Sequence, residues 1–500
     1  MSPRRRGSPR RRCRTSNMDA ARQSRRSSRS CVPWTRSPGS RRWPPKSPCR
    51  PSPCSRHLDG ARNANGQDAP MADPFVQLPA VEVRYHDRSV GAVAIDPSRG
   101  VPVFEYFPDW IDAGEELSPI TLPRSPGPRL FPELANTSFR GAPGLVADSL
   151  PGTFADLLTN AWLARHGIQP GQVSVVDRLG YVGARGVGAL TFHPSVRDDL
   201  ASTASVVDLS EAVDTARSAI GGTLRADEAG STLEHLLDTS GSAGGARAKA
   251  AVAMGPEGEV RSGQHDAPDG FTHWLLKFDV SPGQQPEKTT GYGQLEYAYH
   301  LMAVDAGLEM TECRLLEVGG LVHFLTRRFD RPSPTAKLHV QSLAALAHLP
   351  PEHPGAHSYE QFLQTCGRLG LGVEDRCRAF RQVVFNIAAA VRDDHTKNFA
   401  FVYEDDRWRL APAFDLSFAF LDGGGWLTHH QLTIAGSVHG ADRPTLVDLA
   451  ERAKVPDADA VIDDVTAAVG RWYEHAAVAG VLPDHAGVVA GELGRTALAP

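Results

Sequence analysis

The sequence predicts an α+β protein of two lobes, with a mixed α/β front and a mostly helical back. From about residue 80 to residue 330, short alternating strands and turns are mixed with helices, whereas beyond Asp330 the apolar residues recur at helical spacing. The chain has 500 residues, of which 41% are hydrophobic and 22% are charged. These proportions are ordinary for a globular protein, and the length is sufficient for a large two-lobed body.

The first 70 residues differ from the rest in composition and charge. They hold 18 basic and 3 acidic residues and are rich in Arg, Ser and Pro, whereas the rest of the chain holds 35 basic and 55 acidic residues. Such a segment cannot bury a core, so we predict that residues 1–72 form a disordered extension. It could be a nucleic-acid-binding tail, a targeting peptide or sequence translated from a misplaced start codon. The foldable stretch that begins at Met71 favours the last alternative.

The front of the predicted body alternates strands with turns and helices. Residues 81–96, "VEVRYHDRSVGAVAID", predict a hairpin that turns at "HDRS", and residues 104–118 predict a strand leading into a helical turn. Helices are predicted within residues 148–167, ending at Gly167, and within residues 203–220 and 230–240.

The middle of the chain begins with a Gly-rich loop, "GSAGGARAK" (241–249), which leads into a strand. A turn, a second strand "THWLLKFDV" (272–280) and a helix "GQLEYAYHLMAVDAGL" (293–308) follow. A hairpin that turns at Gly319 and Gly320 is predicted next. The helical periods of the back then predict helices over residues 339–348, 358–369 and 374–392, and several more between 443 and 493.

A charged loop, "VRDDHTKNFA" (391–400), separates two apolar elements of the back. Asp393 and Asn398 lie five positions apart in it, and Asp415 ends the later stretch "WRLAPAFD". Burying such groups costs several kcal/mol unless they are paired or coordinated. In phosphoryl transfer, a catalytic-loop Asp accepts the proton of the substrate hydroxyl, an Asn five residues on holds a metal ion, and a second Asp binds Mg²⁺. The spacing therefore predicts a kinase-type loop, with ATP and Mg²⁺ as cofactors.

A kinase also needs a cation on a strand to bind the nucleotide phosphates. Lys277 interrupts an apolar strand, and Glu296, in the following helix, is its expected ion-pair partner. The Gly-rich loop offers backbone N–H groups for phosphate oxygens, and Arg247 and Lys249 add positive charge. Taken singly, each residue has an alternative explanation without a role in catalysis. Lys277 could keep an edge strand soluble, and Glu296 could lie on the solvated face of a helix. The order of loop, Lys, Glu, Asp/Asn and Asp is that of a protein kinase, so the two lobes are expected to have a protein-kinase-like fold.

Histidine and cysteine indicate no further chemistry. His395 could act as a metal ligand or a general base, but no nearby His, Cys or Glu has the spacing of a zinc site, so we predict that it stabilises the loop. The pair His429 and His430 is expected to be structural. Four of the seven cysteines lie in the basic head, and the spacing of the others matches neither a metal site nor a disulfide framework. A reducing cytoplasm is expected, and no run of about 18 apolar residues suggests a membrane span.

Taken together, these stretches resemble the HipA family, the serine/threonine kinase toxins of bacterial type II toxin–antitoxin systems. The resemblance runs from about residue 80 to residue 495. It is carried by "VGAVAIDPSRGVPVFEYFPDWIDAGEELS", "GLVADSLPGTF" and "VGARGVGALTF" in the front, and by "SAGGARAK", "HWLLKFD", "EYAYHLMAVDAGLEM", "FLTRRFDR", "FNIAAAVRDDHTKNFAF" and "WRLAPAFDLS" in the kinase core. It implies an N-terminal subdomain and kinase N-lobe over residues 73–330 and a helical C-lobe with the catalytic loop over residues 331–500.

The resemblance also implies roles for particular positions. Asp393 is expected to be the catalytic base, Lys277 to bind phosphate, and Asn398 and Asp415 to bind Mg²⁺. Residues 327–329 would form the hinge that contacts adenine. The expected nucleotide-binding residues are Gly244, Gly245, Ala246, Lys249, Lys277, Glu296, Arg327, Phe329 and Phe414. Ser242 matches a loop serine that family members autophosphorylate, with Ser240 as the alternative; a phosphate there would repel the phosphates of the nucleotide and inactivate the kinase.

Three positions depart from the family pattern. Ala248 stands where a proline usually precedes the lysine of the Gly-rich motif, Phe414 replaces a tyrosine, and Arg327 replaces a frequent acid. Since none of them removes a catalytic group, activity is expected to be retained, whereas nucleotide affinity and loop regulation could change.

The function that the resemblance implies is phosphorylation of a cellular protein, a translation component, to arrest growth. A HipB-like helix-turn-helix antitoxin is the expected partner, with DNA bound only indirectly through it, and no membrane is expected to be involved. One alternative is a small-molecule phosphotransferase, because such enzymes share the Asp-x-x-x-x-Asn loop. Another is a weakly active protein that acts as an antitoxin-bound transcriptional co-repressor.

Overall fold

A five-stranded antiparallel sheet forms the front of the protein in the computed structural model, which describes residues 77–113, 115–165, 168–196, 205–220, 247–280, 290–420 and 426–498. The strand order is β4-β3-β2-β1-β5. The strands are β1 (Ala80–Tyr85), β2 (Arg88–Ile95), β3 (Pro102–Tyr106), β4 (Arg129–Leu130) and β5 (Leu190–His193). The hairpin predicted at "HDRS" is confirmed, since β1 pairs with β2 across His86 and Asp87, both with positive φ.

Five helices accompany this sheet in the described part of the front. They are α1 (Pro108–Ala113), α2 (Gly144–Ala147), α3 (Thr153–Arg165), α4 (Val175–Val182) and α5 (Leu209–Ile220). The helices predicted within residues 148–167 and 203–220 are confirmed as α3 and α5, although both begin several residues later than the start of those ranges. Helix α4 was not predicted; Ser174 begins it with a capping box, in which its side chain accepts from the amide of Asp177. The helix predicted within residues 230–240 lies outside the described residues.

A second antiparallel sheet, of order β7-β6-β8-β10-β9, forms the middle of the chain. Its strands are β6 (Lys249–Met254), β7 (Val260–Ser262), β8 (Thr272–Lys277), β9 (Cys313–Val318) and β10 (Leu321–Arg327), and helix α6 (Tyr292–Asp305) precedes β9. Lys277 lies at the end of β8, opposite Lys249 on one side and Phe324 on the other. The apolar side chains of this sheet, among them Trp274 and Leu276, share a core with α3 and α5.

The back of the chain is mostly helical, as predicted. Its helices are α7 (Leu343–Ala347), α8 (Tyr359–Arg368), α9 (Val373–Ala388), α10 (Arg443–Ala453), α11 (Ala458–Gly470), α12 (Trp472–Ala479) and α13 (Pro483–Leu493). Three short strands, β11 (His339–Ser342), β13 (Ala400–Glu404) and β14 (Arg407–Leu410), form a small sheet in the order β11-β13-β14. Two others, β12 (His357–Ser358) and β15 (Leu432–Thr433), pair in parallel.

Two of the predicted helices of the back differ from the structure. The helix predicted over residues 339–348 is wrong for its first four residues, which form β11 and pair with β13. A short apolar run does not distinguish a buried strand from a buried helix by its periodicity, and here the pairing with β13 decides. The helix predicted to end at residue 392 ends at Ala388, and Ala390 turns the chain with a φ of 51°.

The front sheet packs against the helical back. Val83 and Phe192 of the sheet belong to one hydrophobic core with Phe385 and Phe401 of the back. Polar contacts join the same surfaces, since the indole Nε1 of Trp408 donates to the carbonyl of Glu116 at 3.3 Å. Among the helices described, none combines the length and the apolar character needed to cross a membrane.

Candidate active site

A cavity of about 200 Å³ lies between the second sheet and the loop that follows α9. It is lined by strands β6, β8 and β10, by residues 395–400 and by Phe414 and Asp415. Seven of the predicted site residues line it, namely Lys249, Lys277, Arg327, Phe329, Asn398, Phe414 and Asp415. These residues span more than 160 positions of the chain, so the cavity brings together side chains that are distant in sequence.

Lys277 is the centre of the charged groups at this cavity. It is buried, and its Nζ donates to the carboxylates of both Glu296, on α6, and Asp415. Burial alone would lower the pKa of Lys277, but the two carboxylates outweigh it and the pKa is raised. Burial would likewise raise the pKa of Asp415, but Lys277 and then Lys249 hold it well below its usual range. The predicted ion pair of Lys277 and Glu296 is therefore present, and Asp415 is a second carboxylate that pairs with Lys277.

The loop after α9 holds Asp393 and Asn398 close together. Residues Thr396–Asn398 form a single 3-10 turn, and the side-chain amide of Asn398 donates to the backbone carbonyl of Asp393 at 2.7 Å. The Asp393 residue is exposed, yet desolvation by the protein around its carboxylate raises its pKa, and the charge of Asp415 acts in the same direction, against the opposing effect of His395. A raised pKa suits a carboxylate that accepts a proton.

Asn398 and Asp415 provide oxygen atoms at the cavity that could hold a metal ion. Mg²⁺ prefers oxygen ligands and keeps several waters, so one carboxylate and one amide are a sufficient contribution from the protein. Asp415 has a φ of 56°, a left-handed conformation that is uncommon for a non-glycine residue and is a frequent feature of functional sites. Within the described parts of the chain, no group of three or more His, Cys, Asp or Glu side chains could hold a metal ion. The amide oxygen of Asn398 and the carboxylate of Asp415 are of the ligand type that Mg²⁺ prefers.

Aromatic and aliphatic side chains line part of the cavity. The rings of Phe329 and Phe414 lie 5.8 Å apart, inclined by 39°. They pack against an apolar cluster that includes Val340 and Ala400, which also line the cavity. Such a surface suits a flat aromatic base. The backbone amide of Arg327 donates to the carbonyl of Glu312 at 2.8 Å, which fixes the first residue of the predicted hinge segment (residues 327–329).

Only the end of the Gly-rich loop falls within the described residues. Ser240, Ser242, Gly244, Gly245 and Ala246 lie outside them. Arg247 is described; its guanidinium lies 3.8 Å from Glu296 and 4.6 Å above the ring of Tyr292. Lys249 is buried, and burial lowers its pKa to about 8.

Sequence reasoning missed Asp394, whose side chain joins the loop of residues 391–400 to the rest of the protein by hydrogen bonds. Its side chain is fully buried and accepts from the hydroxyl of Tyr359, from Nδ1 of His430 at 2.8 Å and from the amide of Gln431 at 2.6 Å. We call these four residues the loop brace. The prediction that His430 is structural agrees with this arrangement. The signal that could have found Asp394 is a second acid beside Asp393, which must be bonded if it is buried.

His395 differs from its predicted role. Its side chain lines the cavity, and in the described residues its buried Nδ1 has no hydrogen-bond partner. Its backbone carbonyl accepts from the amide of Asn398 at 2.9 Å, so the contribution to the loop comes from the backbone.

A second group of residues at the cavity was also missed. Asp148, Leu150, Gly152, Arg185 and Val187 line it from the front of the chain. We call these five residues the front wall. They lie in "GLVADSLPGTF" and "VGARGVGALTF", two stretches that carry the family resemblance, but their presence at the cavity depends on how the front sheet packs against the back.

Comparisons with known proteins agree with this architecture. The model of the HipA N-terminal domain matches residues 81–193, and the model of the HipA-like C-terminal domain matches residues 241–472. The structure of HipA from the Shewanella oneidensis MR-1 toxin–antitoxin system, solved with HipB and operator DNA, aligns with a TM-score of 0.58 at 15% identity, covering 83% of this chain and 95% of that one.

A proinflammatory kinase of Helicobacter pylori, CtkA, aligns with a TM-score of only 0.27 at 12% identity, covering 45% of this chain and 92% of that one. This second alignment is too weak to support an argument. The likeness to the Shewanella protein confirms the expected two-lobed, kinase-like α+β fold. Because both family domains match in order and together cover the front sheet, the second sheet and the loop of residues 391–400, the chain belongs to the HipA family.

Proposed function

We propose that this protein is an ATP- and Mg²⁺-dependent serine/threonine protein kinase of the HipA toxin type. The observation that carries the proposal is the position of Lys277, whose ammonium group lies between Glu296 and Asp415 at a cavity that Asn398 also lines. Protein kinases use a strand lysine, a helix glutamate and a metal-binding aspartate in this relation. The three groups come from three separate parts of the chain, so they lie together because of the tertiary fold and not because they are close in sequence.

Each group has a defined role in this proposal. Asp393 accepts the proton of the substrate hydroxyl, and its raised pKa suits that role. Lys277 binds the nucleotide phosphates, and Phe329 and Phe414 contact the base. Asn398 and Asp415 would hold Mg²⁺, which supplies positive charge to neutralise the phosphates.

The proposed regulation and partners follow from the family. Autophosphorylation at Ser242 would inactivate the kinase by placing a phosphate where the nucleotide phosphates bind. A HipB-like antitoxin is the proposed partner, supported by the likeness to a HipA that was solved with HipB and operator DNA. DNA would be bound only through that antitoxin, the substrate would be a translation component, and the protein would act in the cytoplasm.

Incubation of the purified protein with a bacterial lysate and radiolabelled ATP tests the proposal. We expect labelled protein bands with the wild type and a loss of labelling of roughly a hundredfold or more with Asp393→Asn, because the proton acceptor is removed. Asp406→Asn, in an exposed turn, is the matched control and should label like the wild type. Phosphoproteomics of the same samples would identify the substrate and any modification of Ser242.

Two results would favour the alternatives. Label found only in small solutes would indicate a small-molecule phosphotransferase. Growth arrest that persists when Asp393→Asn is overexpressed would show that phosphoryl transfer is not the toxic activity, and would favour the co-repressor.

A further inference from the structure

Helix α13 packs against two segments that carry parts of the candidate active site. The ring of its His485 lies 6.2 Å from the ring of Tyr292, the first residue of α6. The same histidine ring lies 4.7 Å from that of Phe420, in the chain that follows Asp415. Helix α13 begins at Pro483, beyond the range that matches the HipA-like C-terminal domain. The helix therefore contacts the site's surroundings although the match to the family model does not extend to it.

The end of α13 is joined to the loop of residues 391–400 by an ion pair. The carboxylate of Glu492 accepts from the guanidinium of Arg392 at 2.7 Å. These side chains are only 9% and 12% exposed, so salt and water screen the pair little. The other oxygen of Glu492 accepts from Arg495, whose side chain is 71% exposed. Burial would raise the pKa of Glu492, but the two arginines outweigh it and lower the pKa, so the carboxylate is charged at neutral pH.

Arg392 makes two further hydrogen bonds that connect the loop to a later part of the chain. Its guanidinium donates to the carbonyl of Leu427 at 3.0 Å. Its backbone carbonyl accepts from the side-chain amide of Gln431 at 3.3 Å. Since Arg392 directly precedes Asp393, a displacement of its side chain would be transmitted to the backbone of the proposed base. The pair with Glu492 therefore fixes a residue that joins the loop to Leu427.

The place of Arg392 in the sequence has a counterpart in protein kinases. In their catalytic loop an arginine directly precedes the catalytic aspartate, as Arg392 precedes Asp393. Phosphorylation orders the activation loop of many kinases through new pairs between arginine and the phosphate. Such a phosphate supplies a negative charge to an arginine. In this protein the carboxylate of Glu492 already supplies a negative charge to Arg392.

We propose that Glu492 is a positioning residue for phosphoryl transfer, which acts through Arg392 to hold Asp393 and Leu427 in place without phosphorylation of the chain that follows Asp415. The inference rests on the proposed function and deepens it by assigning a role in the reaction to helix α13. Glu492 itself touches neither nucleotide nor substrate in this proposal. It keeps the proposed base in the orientation that proton transfer requires.

The test compares the full-length wild type with Glu492→Leu, Arg392→Met and the double variant, by the rate at which radiolabelled ATP labels proteins of a bacterial lysate. We expect each single variant to be about tenfold slower, because the proposed base is held less well. The dissociation constant of a fluorescent ATP analogue with Mg²⁺ should stay unchanged, since neither residue lines the cavity. Arg495→Leu removes the exposed partner of the same carboxylate and is the matched control, which should label like the wild type.

The double variant separates positioning from stability. Replacing both partners of a buried pair by apolar residues is often neutral for stability, whereas removing one partner leaves a buried charge unpaired. We expect its thermal unfolding to be close to that of the wild type and its labelling rate to remain about tenfold lower. If Glu492→Leu does not fold, the double variant decides.

Four results would overturn the inference alone. They are labelling at the wild-type rate by Glu492→Leu or by the double variant, an equal loss in Arg495→Leu, a loss of about a hundredfold in the double variant, which would show that the two residues act independently, and a fall in the wild-type rate after treatment with a protein phosphatase. A wild type that labels no protein would overturn the proposed function and the inference with it.

Discussion

Lys249 and Lys277 lie opposite each other on neighbouring strands at the candidate active site, and their surroundings shift their pKa values in opposite directions. Lys277 lies between two carboxylates that raise its pKa, whereas burial lowers the pKa of Lys249 to about 8. Both are expected to bind nucleotide phosphates. The difference means that, near neutral pH, Lys277 is a constant charge and Lys249 a titratable one.

We predict that nucleotide affinity falls as the pH rises above about 8. Lys249 is protonated below its pKa and loses its charge above it, so the attraction to the phosphates weakens in that direction. Burial is the main cause of the lowered pKa of Lys249; Asp415 and Glu296 oppose the loss of the proton, while Lys277 and Arg247 favour it. Titration of an ATP analogue between pH 6.5 and pH 9.5 measures the effect.

Lys249→Arg is the control for this prediction. Its guanidinium stays charged across the range, so the pH dependence of affinity should flatten. An equally steep decline in this variant would show that another group is responsible.

At the scale of elements, the position of the loop of residues 391–400 depends on a helix and a segment that do not line the cavity. Tyr359 begins α8, and His430 and Gln431 precede β15; all three bond the carboxylate of Asp394. Asp394 is adjacent to Asp393, so the loop brace fixes the backbone that carries the proposed base. Buried networks of this kind are stabilising only when every member is bonded.

We predict that Tyr359→Phe lowers both stability and the rate of phosphoryl transfer. The variant removes one donor to a buried carboxylate, which should cost about 2 kcal/mol of unfolding free energy. Because the loop then moves more freely, we expect the rate to fall about tenfold while nucleotide affinity changes little. Denaturant unfolding and the radiolabel assay measure the two effects.

Tyr106→Phe is the control for this prediction. It also removes a buried hydroxyl, but one that does not contact the loop brace. The Tyr106 hydroxyl is also buried and donates to the carbonyl of Leu122 at 2.8 Å, in the front sheet. Its loss should cost about 1 kcal/mol and leave the rate unchanged. Equal rates in the two variants would contradict the role of the loop brace.

At the scale of the whole molecule, one buried carboxylate joins the front wall to the hinge segment. Asp330 pairs with Arg328 and Arg331 and accepts from the amide of Gly188. Burial would raise its pKa, but the two arginines outweigh it and hold the pKa below the ordinary 3.8. The ionised form therefore stabilises the fold at neutral pH, and this contribution is lost as the pH falls below 3.8 towards the lowered value.

We predict that Asp330→Asn lowers the free energy of unfolding by about 3 kcal/mol at pH 7, because two buried arginines lose their counter-charge. The difference from the wild type should shrink as the pH falls below 4, since the wild type then loses the same charge. Hydrogen exchange of residues 184–188 should accelerate. Asp459→Asn removes a partner of Arg443 at an exposed position and should change stability little; an equal loss in both variants would contradict the prediction.

The sequence alone determined the local elements and the spacing of the polar residues in the loop of residues 391–400. The hairpin of β1 and β2, the strand that carries Lys277 and the Asp393–Asn398 spacing depend on residues close in the chain, where periodicity, turn residues and motif spacing act. The partnership of Lys277 with Glu296 was also predicted, because the order of kinase parts along the chain implies it.

Only the tertiary structure decided which distant residues contact the loop of residues 391–400 and which of them line the cavity. Residues 339–342 form a strand because β13 pairs with them, although their pattern suits a helix. Asp394 lies in the loop brace because α8 and residues 430–431 meet there, and Val187 reaches the cavity because the front sheet packs on the back. Contacts between residues so distant in the chain depend on the packing of whole surfaces, which no local pattern records.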